Sequence, residues 1–256
     1  MKTLSFICSL IVLSACNSDK PIDTPPPTHP KTFTTSFESV DEFSQFYIVP
    51  QNTPDPTSPQ NQSHDLTNEL ARSGSYSHKG WIWGSNPDST PLINNNHRGY
   101  PTIQLYKTAT GAFKTPVLIE FWAWLDVTLA PGEWFSFATL DPTRVDIWDP
   151  VLVNLSHNGF VHLMHVPSNG EKVWDFQTDS ISFPMQEWVK LSVCLHFDQH
   201  QGYAKVWQNN QLVSSAAVHS GNGELTQAHF GLYAPPSLTS GTVYNDDLQI
   251  TEGECM

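Results

Sequence analysis

Residues 118–127 read LIEFWAWLDV, and their alternation separates two chemistries. Successive side chains of a strand point to opposite faces. One face carries Ile119, Phe121, Ala123, Leu125 and Val127, an ordinary core face. The other carries Leu118, Glu120, Trp122, Trp124 and Asp126. Two indoles between two carboxylates suit a sugar. A pyranose has an apolar face that packs on a flat ring and a rim of hydroxyls that needs aimed donors and acceptors. The plainer alternative is that Trp122 and Trp124 pack beneath a covering loop or helix.

Neighbouring runs extend the polar face. YPTIQLYK sets Tyr100, Thr102, Gln104 and Tyr106 opposite Ile103 and Leu105. EWFSFATL sets Trp134 and Ser136 opposite Phe135 and Phe137, and GFVHLMHV sets His162 and Met164 opposite Val161, Leu163 and His165. KLSVCLHF sets Lys190, Ser192, Cys194 and His196 opposite Leu191, Val193, Leu195 and Phe197. In NNNHRGY, Arg98 stands beside His97 and Tyr100, where a guanidinium can take a carboxylate or a hydroxyl pair, or can be a solvated loop charge. The candidate carbohydrate contacts are therefore Arg98, Tyr100, Gln104, Glu120, Trp122, Trp124, Trp134, His162 and His196.

Spacing and charge exclude some functions. Glu120 and Asp126 share a face but stand six residues apart, ~20 Å along a strand. A retaining glycosidase needs its carboxyls about 5 Å apart. With 25 Asp+Glu against 12 Lys+Arg the net charge is −13, which argues against a nucleic-acid partner. The same balance weighs against an acidic polymer unless the basic residues cluster.

These side chains need a scaffold of strands. From Phe33 onward the chain shows short apolar or alternating runs broken by Gly, Pro, Asn and Asp, with no long amphipathic helix. That pattern predicts an all-β sandwich or barrel. Asn158-Gly159 and Asn209-Asn210 supply hairpin turns. Residues 50–65 read as a polar, proline-rich loop. Without an internal repeat, a single domain over 33–256 is the economical reading.

The N-terminus reads as a leader. Lys2 precedes the apolar run LSFICSLIVL, too short to span a bilayer. It ends in LSAC, Leu13 to Cys16, which resembles the lipobox of bacterial lipoproteins. The resemblance implies a signal peptide over 1–15, lipidation of Cys16, and a membrane held only through the lipid anchor. Asn17 after the cysteine resembles outer-membrane-destined members. Residues 16–32 then form a proline-rich tether. With Cys8 removed and Cys16 acylated, Cys194 and Cys255 remain, either bridged or as two separate thiols.

Several segments together resemble the concanavalin A-like jelly roll of laminin-G-like domains and polysaccharide lyases. They are TTSFESVDEF, ELARSGSYSHKGW, EWVKLSVCLHFDQHQGYAKVWQNNQLV, and HFGLYAP followed by GTVYNDDLQI. The resemblance implies a jelly-roll β-sandwich of two antiparallel sheets. It also implies a structural Ca²⁺ held by Glu38 with Asp246 or Asp247. For an alginate-lyase-like member it implies β-elimination on a uronic acid, with Arg98, Gln104, His162 and Tyr233 as the candidate set. The sequence departs from that pattern, because Leu105 and Tyr106 follow Gln104 where the family has a histidine two residues on. A non-catalytic glycan-binding lipoprotein is therefore the first expectation, a polysaccharide lyase the second and a surface lipoprotein with a protein partner the third.

Overall fold

The alternation read along the runs becomes two antiparallel sheets packed face to face. This computed structural model describes residues 30–44, 61–91, 94–142, 149–167, 174–176, 181–253 and 255. The expected leader over 1–15, Cys16 and most of the expected tether lie outside the described residues.

In chain order the strands begin with β1 (Thr32–Thr35), β2 (Gln62–Thr67), β3 (Ser77–Ile82), β4 (His97–Gly99) and β5 (Thr102–Ile103). They continue as β6 (Phe113–Lys114), β7 (Val117–Val127), β8 (Trp134–Asp141), β9 (Val151–Ser156), β10 (Val161–His165) and β11 (Trp174–Phe176). The last are β12 (Val189–His196), β13 (Tyr203–Gln208), β14 (Gln211–Ala217), β15 (Glu224–Leu225), β16 (Gln227–Ala234) and β17 (Gly241–Glu252). The helical content of the described residues is one short helix, α1 (Val40–Ser44), and a 3₁₀ turn at Leu105–Lys107.

The first sheet has eight strands in the order β14-β13-β12-β7-β17-β3-β2, with β1 also paired to β17. The second has seven in the order β11-β10-β9-β8-β16-β4, with β5 also paired to β16. A small β15-β6 pair stands apart. The expected jelly-roll β-sandwich is the observed architecture. Both hairpins also form as expected. Asn209 and Asn210 join β13 to β14 with positive φ of 47° and 69°, the left-handed pair that a two-residue turn requires.

The core lies between the sheets. Ile119, Phe121, Ala123 and Leu125 of β7 are buried there with Leu191, Val193 and Leu195 of β12. Phe135, Val153, Leu155, Phe230 and Leu232 face them from the seven-stranded sheet. Phe121 meets Phe230 across the gap at 5.2 Å between ring centres. Each such side chain contributes about 1.5–3 kcal/mol by leaving water. The Cys194–Cys255 disulfide ties β12 to the C-terminal tail.

Two expectations needed correction. Residues 62–65, expected in the loop, belong to β2, in register with β3, and His64 turns inward and is buried. YPTIQLYK is not one strand. Pro101 has no N–H to give to a ladder, so β4 and β5 pair with β16 separately. The chain then turns into the 3₁₀ segment, and Gln104 leaves the face that Tyr100 occupies.

At the β4 edge the sheets come into backbone contact. A Cβ on Gly80 of β3 would lie 2.5 Å from the Gly99 carbonyl oxygen of β4, and one on Gly99 would lie 2.8 Å from the Ser63 carbonyl oxygen of β2. Only residues without side chains allow that approach. Gly80→Ala should therefore cost about 1–3 kcal/mol, as overpacking does. The check is a urea midpoint that falls at unchanged slope. A midpoint shift worth less than about 0.5 kcal/mol would mean that the sheets do not meet there.

Candidate functional site

Strand register assembles one polar row. Arg98 of β4 lies opposite Tyr233 of β16, which lies opposite Ser136 of β8. Ser136 lies opposite Asn154 of β9, and Asn154 opposite His162 of β10. Five strands thus contribute to a single line on the outer face of the seven-stranded sheet, ~19 Å long at the usual strand spacing. Towards His162 the row is closed, with Ser136, Asn154 and His162 all buried. At the Arg98 end it opens into a cavity of about 350 Å³ lined by Asn94, Arg98, Tyr100, Thr139, His229 and Tyr233.

The cavity is an aromatic box with one cation. Tyr100 stacks on His229, ring centres 4.5 Å apart and planes 13° from parallel. Tyr233 meets Tyr100 edge-on at 6.2 Å and leans against Trp134 at 5.1 Å. The Arg98 guanidinium lies 5.8 Å from the Tyr233 ring centre. Segment 94–96 holds both groups. Arg98 Nη1 donates to the carbonyls of Asn94 (3.0 Å) and Asn96 (3.3 Å). The Tyr233 hydroxyl accepts from Asn96 Nδ2 at 2.8 Å and from Asn94 Nδ2 at 3.4 Å.

Burial sets the protonation states. It drives the His229 imidazole down to about 3, and the nearby Arg98 charge adds to the effect, so the ring is neutral. It pushes the Tyr100 phenol well up, against the opposing pull of Arg98. The site therefore offers the Arg98 guanidinium, two phenols, a neutral imidazole, an amide and the Thr139 hydroxyl. Such a set can hold a carboxylate at Arg98 and sugar hydroxyls around it.

The structure divides the sequence-derived candidates between two faces. Arg98, Tyr100, Trp134, His162 and Tyr233 belong to the outer face of the seven-stranded sheet. Glu120, Trp122, Trp124 and His196 belong to the outer face of the eight-stranded sheet, on the far side of the core. Alternation separates inside from outside but does not say which sheet a strand joins. β7 pairs with β12 and β17, whereas β8 pairs with β9 and β16. Trp122 also carries the Arg72 guanidinium over its ring at 4.2 Å, and Trp124 meets the edge of Tyr244 at 5.3 Å. His196 meets Tyr203 edge-on at 5.4 Å. Gln104 is outside the cavity lining, its buried Oε1 without a hydrogen-bond partner.

Three lining residues went unread. His229 had a signal, since AHFGLYA alternates and places His229, Gly231 and Tyr233 on one face. Thr139 had none, because a bulge between Ser136 and Ala138 shifts the alternation of β8. Asn94 comes from an irregular segment.

The acids expected to hold calcium do gather on one segment, but as hydrogen-bond acceptors. Glu38 accepts from the Ser75 and Tyr76 amides. Asp246 Oδ2 accepts from the Arg72 and Ser73 amides, and Asp247 Oδ1 takes the Ser73 hydroxyl. Burial, with Asp247 adjacent, pushes Asp246 up to about 6. Calcium needs six to eight oxygen ligands. Here donors face the carboxylates, and among the described residues no group of three or more His, Cys, Asp or Glu could hold a metal.

No protein-family model and no curated protein sequence matches the chain. Among solved structures it is similar to "Cellulose induced protein, Cip1", with 16% identity and a TM-score of 0.59 over 88% of this chain and 100% of that one. It is also similar to the binding domain of Paraclostridial Mosquitocidal Protein 1, with 12% identity and a TM-score of 0.53 over 89% of this chain and 50% of that one. The chain thus spans half the length of the mosquitocidal chain. An alginate lyase of polysaccharide lyase family 7, AlgAT5, overlaps at 11% identity and a TM-score of 0.42 over 70% of this chain and 79% of that one, too loosely to argue from. At these identities the likeness shows the fold alone, a jelly-roll β-sandwich.

The buried imidazoles make the fold acid-sensitive. His229 falls from the ordinary 6.5 to about 3 and His64 to about 4. Below pH 6.5 the unfolded chain binds protons that the folded one refuses, so stability present above 6.5 is lost as pH falls. Asp246 acts oppositely between about 6 and its ordinary 3.8, because the folded state holds the extra proton. Five imidazoles, those of His64, His78, His97, His165 and His229, are held low by burial and oppose that one carboxyl, each worth about 1.4 kcal/mol per pH unit at most. Denaturant midpoints should fall from pH 6.5 towards 4, and less steeply in His229→Gln. Midpoints that are flat or rise on acidification would contradict this.

Proposed function

We propose that the protein is a glycan-binding lipoprotein, and that the cavity beside Arg98 takes a uronic-acid residue of an acidic glycan. One observation carries the reading. Arg98 is the single cation among the described lining residues, and it stands within a cluster of tyrosine, histidine and tryptophan rings. Rings supply contact area with few rotors, and the guanidinium selects a carboxylate. The overall negative charge weighs against an acidic polymer and no cluster of basic residues offsets it among the described lining residues, so recognition rests on Arg98 alone. The LSAC segment and Asn17 support anchorage of the domain to the outer membrane through Cys16.

Cleavage by β-elimination is the second reading, favoured by the convergence of Arg98, His229, Tyr100 and Tyr233. In that reaction Arg98 would neutralise the carboxylate, a base would take the C5 proton, the C4–O bond would break, and an acid would protonate the leaving oxygen. A general base works best with a pKa near the working pH. His229, at about 3, is too weak a base, and the Tyr100 phenol, pushed up, is a donor rather than a base. Tyr233 is the phenol left for proton abstraction. Binding therefore ranks first.

Soluble protein from Lys20 onward should bind polyuronates and not neutral glucans. Arg98→Ala should weaken that binding at least ~10-fold, the scale of a lost charge-assisted hydrogen bond. Arg98→Lys should recover only part, since a point charge cannot replace a planar fork. Equal binding of neutral glucans, or indifference to Arg98→Ala, would contradict the proposal. Growth of the ultraviolet absorbance of a C4–C5 double bond, abolished by Tyr233→Phe, would promote the lyase reading.

A further inference from the structure

We infer that the opposite face of the sandwich carries a second, independent site for a single neutral sugar ring. A cavity of about 170 Å³ opens on the outer face of the eight-stranded sheet, lined by Leu118, Glu120, Ser192, Trp207, Asn210 and Cys255. Its walls are set by three separate devices. The β13-β14 turn is pinned to β12 because Asn209 donates its amide to the Lys190 carbonyl (2.9 Å) and accepts the Lys190 amide on Oδ1 (3.0 Å). That positions Asn210 at the rim. The Cys194–Cys255 disulfide holds Cys255 as another wall. Register places Ser192 between Trp207 of β13 and Glu120 of β7, which fixes indole and carboxylate on the same face.

The lining chemistry selects the ligand class. Glu120 is already neutralised by Lys190 Nζ at 2.7 Å and receives the Ser192 hydroxyl at 3.3 Å. Among the described lining residues no charge is therefore left uncompensated to attract an ion. It retains carboxylate lone pairs and a primary amide for hydroxyls, beside the half-buried indole of Trp207 and the apolar Leu118. An indole wall with a polar rim is the recognition set for a pyranose, as argued for the strand of Trp122. Drug-sized ligands occupy about 300–1,000 Å³, so this smaller space takes one ring and not a chain segment.

This site shares no residue with the Arg98 cavity and does not depend on the proposal made for it. The test is saturation-transfer NMR on the soluble chain with glucose, galactose, mannose and N-acetylglucosamine, each as its methyl glycoside. At least one should give saturable transfer. Trp207→Ala should weaken it at least ~10-fold, the effect of removing a hot-spot aromatic, and Arg98→Ala should leave it unchanged. Asn210→Gly guards against a folding failure, because Asn210 has a φ of 69° that glycine adopts freely, and it should weaken binding several-fold. Absence of transfer from all four glycosides would overturn the inference. So would transfer that survives both Trp207→Ala and Asn210→Gly, or that Arg98→Ala abolishes.

Discussion

The architecture turns on a contact between backbones. Packed sheets normally stand about 10 Å apart with side chains between them. Here Gly80, Gly99 and Gly231 remove the side chains at the β4 edge, and β3, β4 and β16 close to van der Waals contact. A Cβ on Gly231 would lie 2.9 Å from His78 and 3.0 Å from Tyr100 Cβ, and its φ of +142° is open to glycine. This pinch keeps β4, a strand of three residues, in register against β16. That register lifts Arg98 and Tyr100 over His229 and Tyr233. Removing the pinch would leave the cavity without its cation or its stacked wall.

The clamp on segment 72–76 supports the other side of the fold. β17 pairs with β3 along its first half and β1 along its second, and breaks between Asp246 and Gln249 at the handover. Asp247 takes a φ of 49° at that break. Asp246 uses the resulting geometry to accept two amides of the incoming segment, whose Arg72 then covers Trp122. On that face the indoles of β7 pack against Arg72 and Tyr244. One cavity opens beside Arg98 on the other sheet, and one beside Trp207 on the same face as these indoles.

Much of this was legible in the residues, and the exceptions have physical causes. Inside and outside could be read strand by strand, because the period of two is fixed by backbone geometry. LIEFWAWLDV divides as its alternation says, whereas in KLSVCLHF and GFVHLMHV the outer-face members Ser192, Cys194 and His162 are buried as well. Sheet membership could not be read, since pairing joins residues far apart in sequence. Trp122 and Trp134 therefore looked like neighbours and stand on opposite faces. Irregularities hid the rest. Pro101 broke one apparent strand into two, and the bulge in β8 moved Thr139 to the cavity face. QSHDLT looked like loop because its buried members, Gln62 and His64, are polar and are held inside by hydrogen bonds to Asn86, His97 and His78.

The central claim is that an acidic sugar enters beside Arg98. Its most direct test is a nitrogen–proton NMR titration of labelled protein with a uronate oligosaccharide, following side-chain as well as backbone signals. Saturable shifts are expected of the Arg98 Nε–H and of the Gly99, Thr139 and Gly231 amides, with the indole signals of Trp122 and Trp124 unmoved. Shifts confined to the Trp122 face, or an Arg98 signal that stays in place while other residues respond, would contradict it.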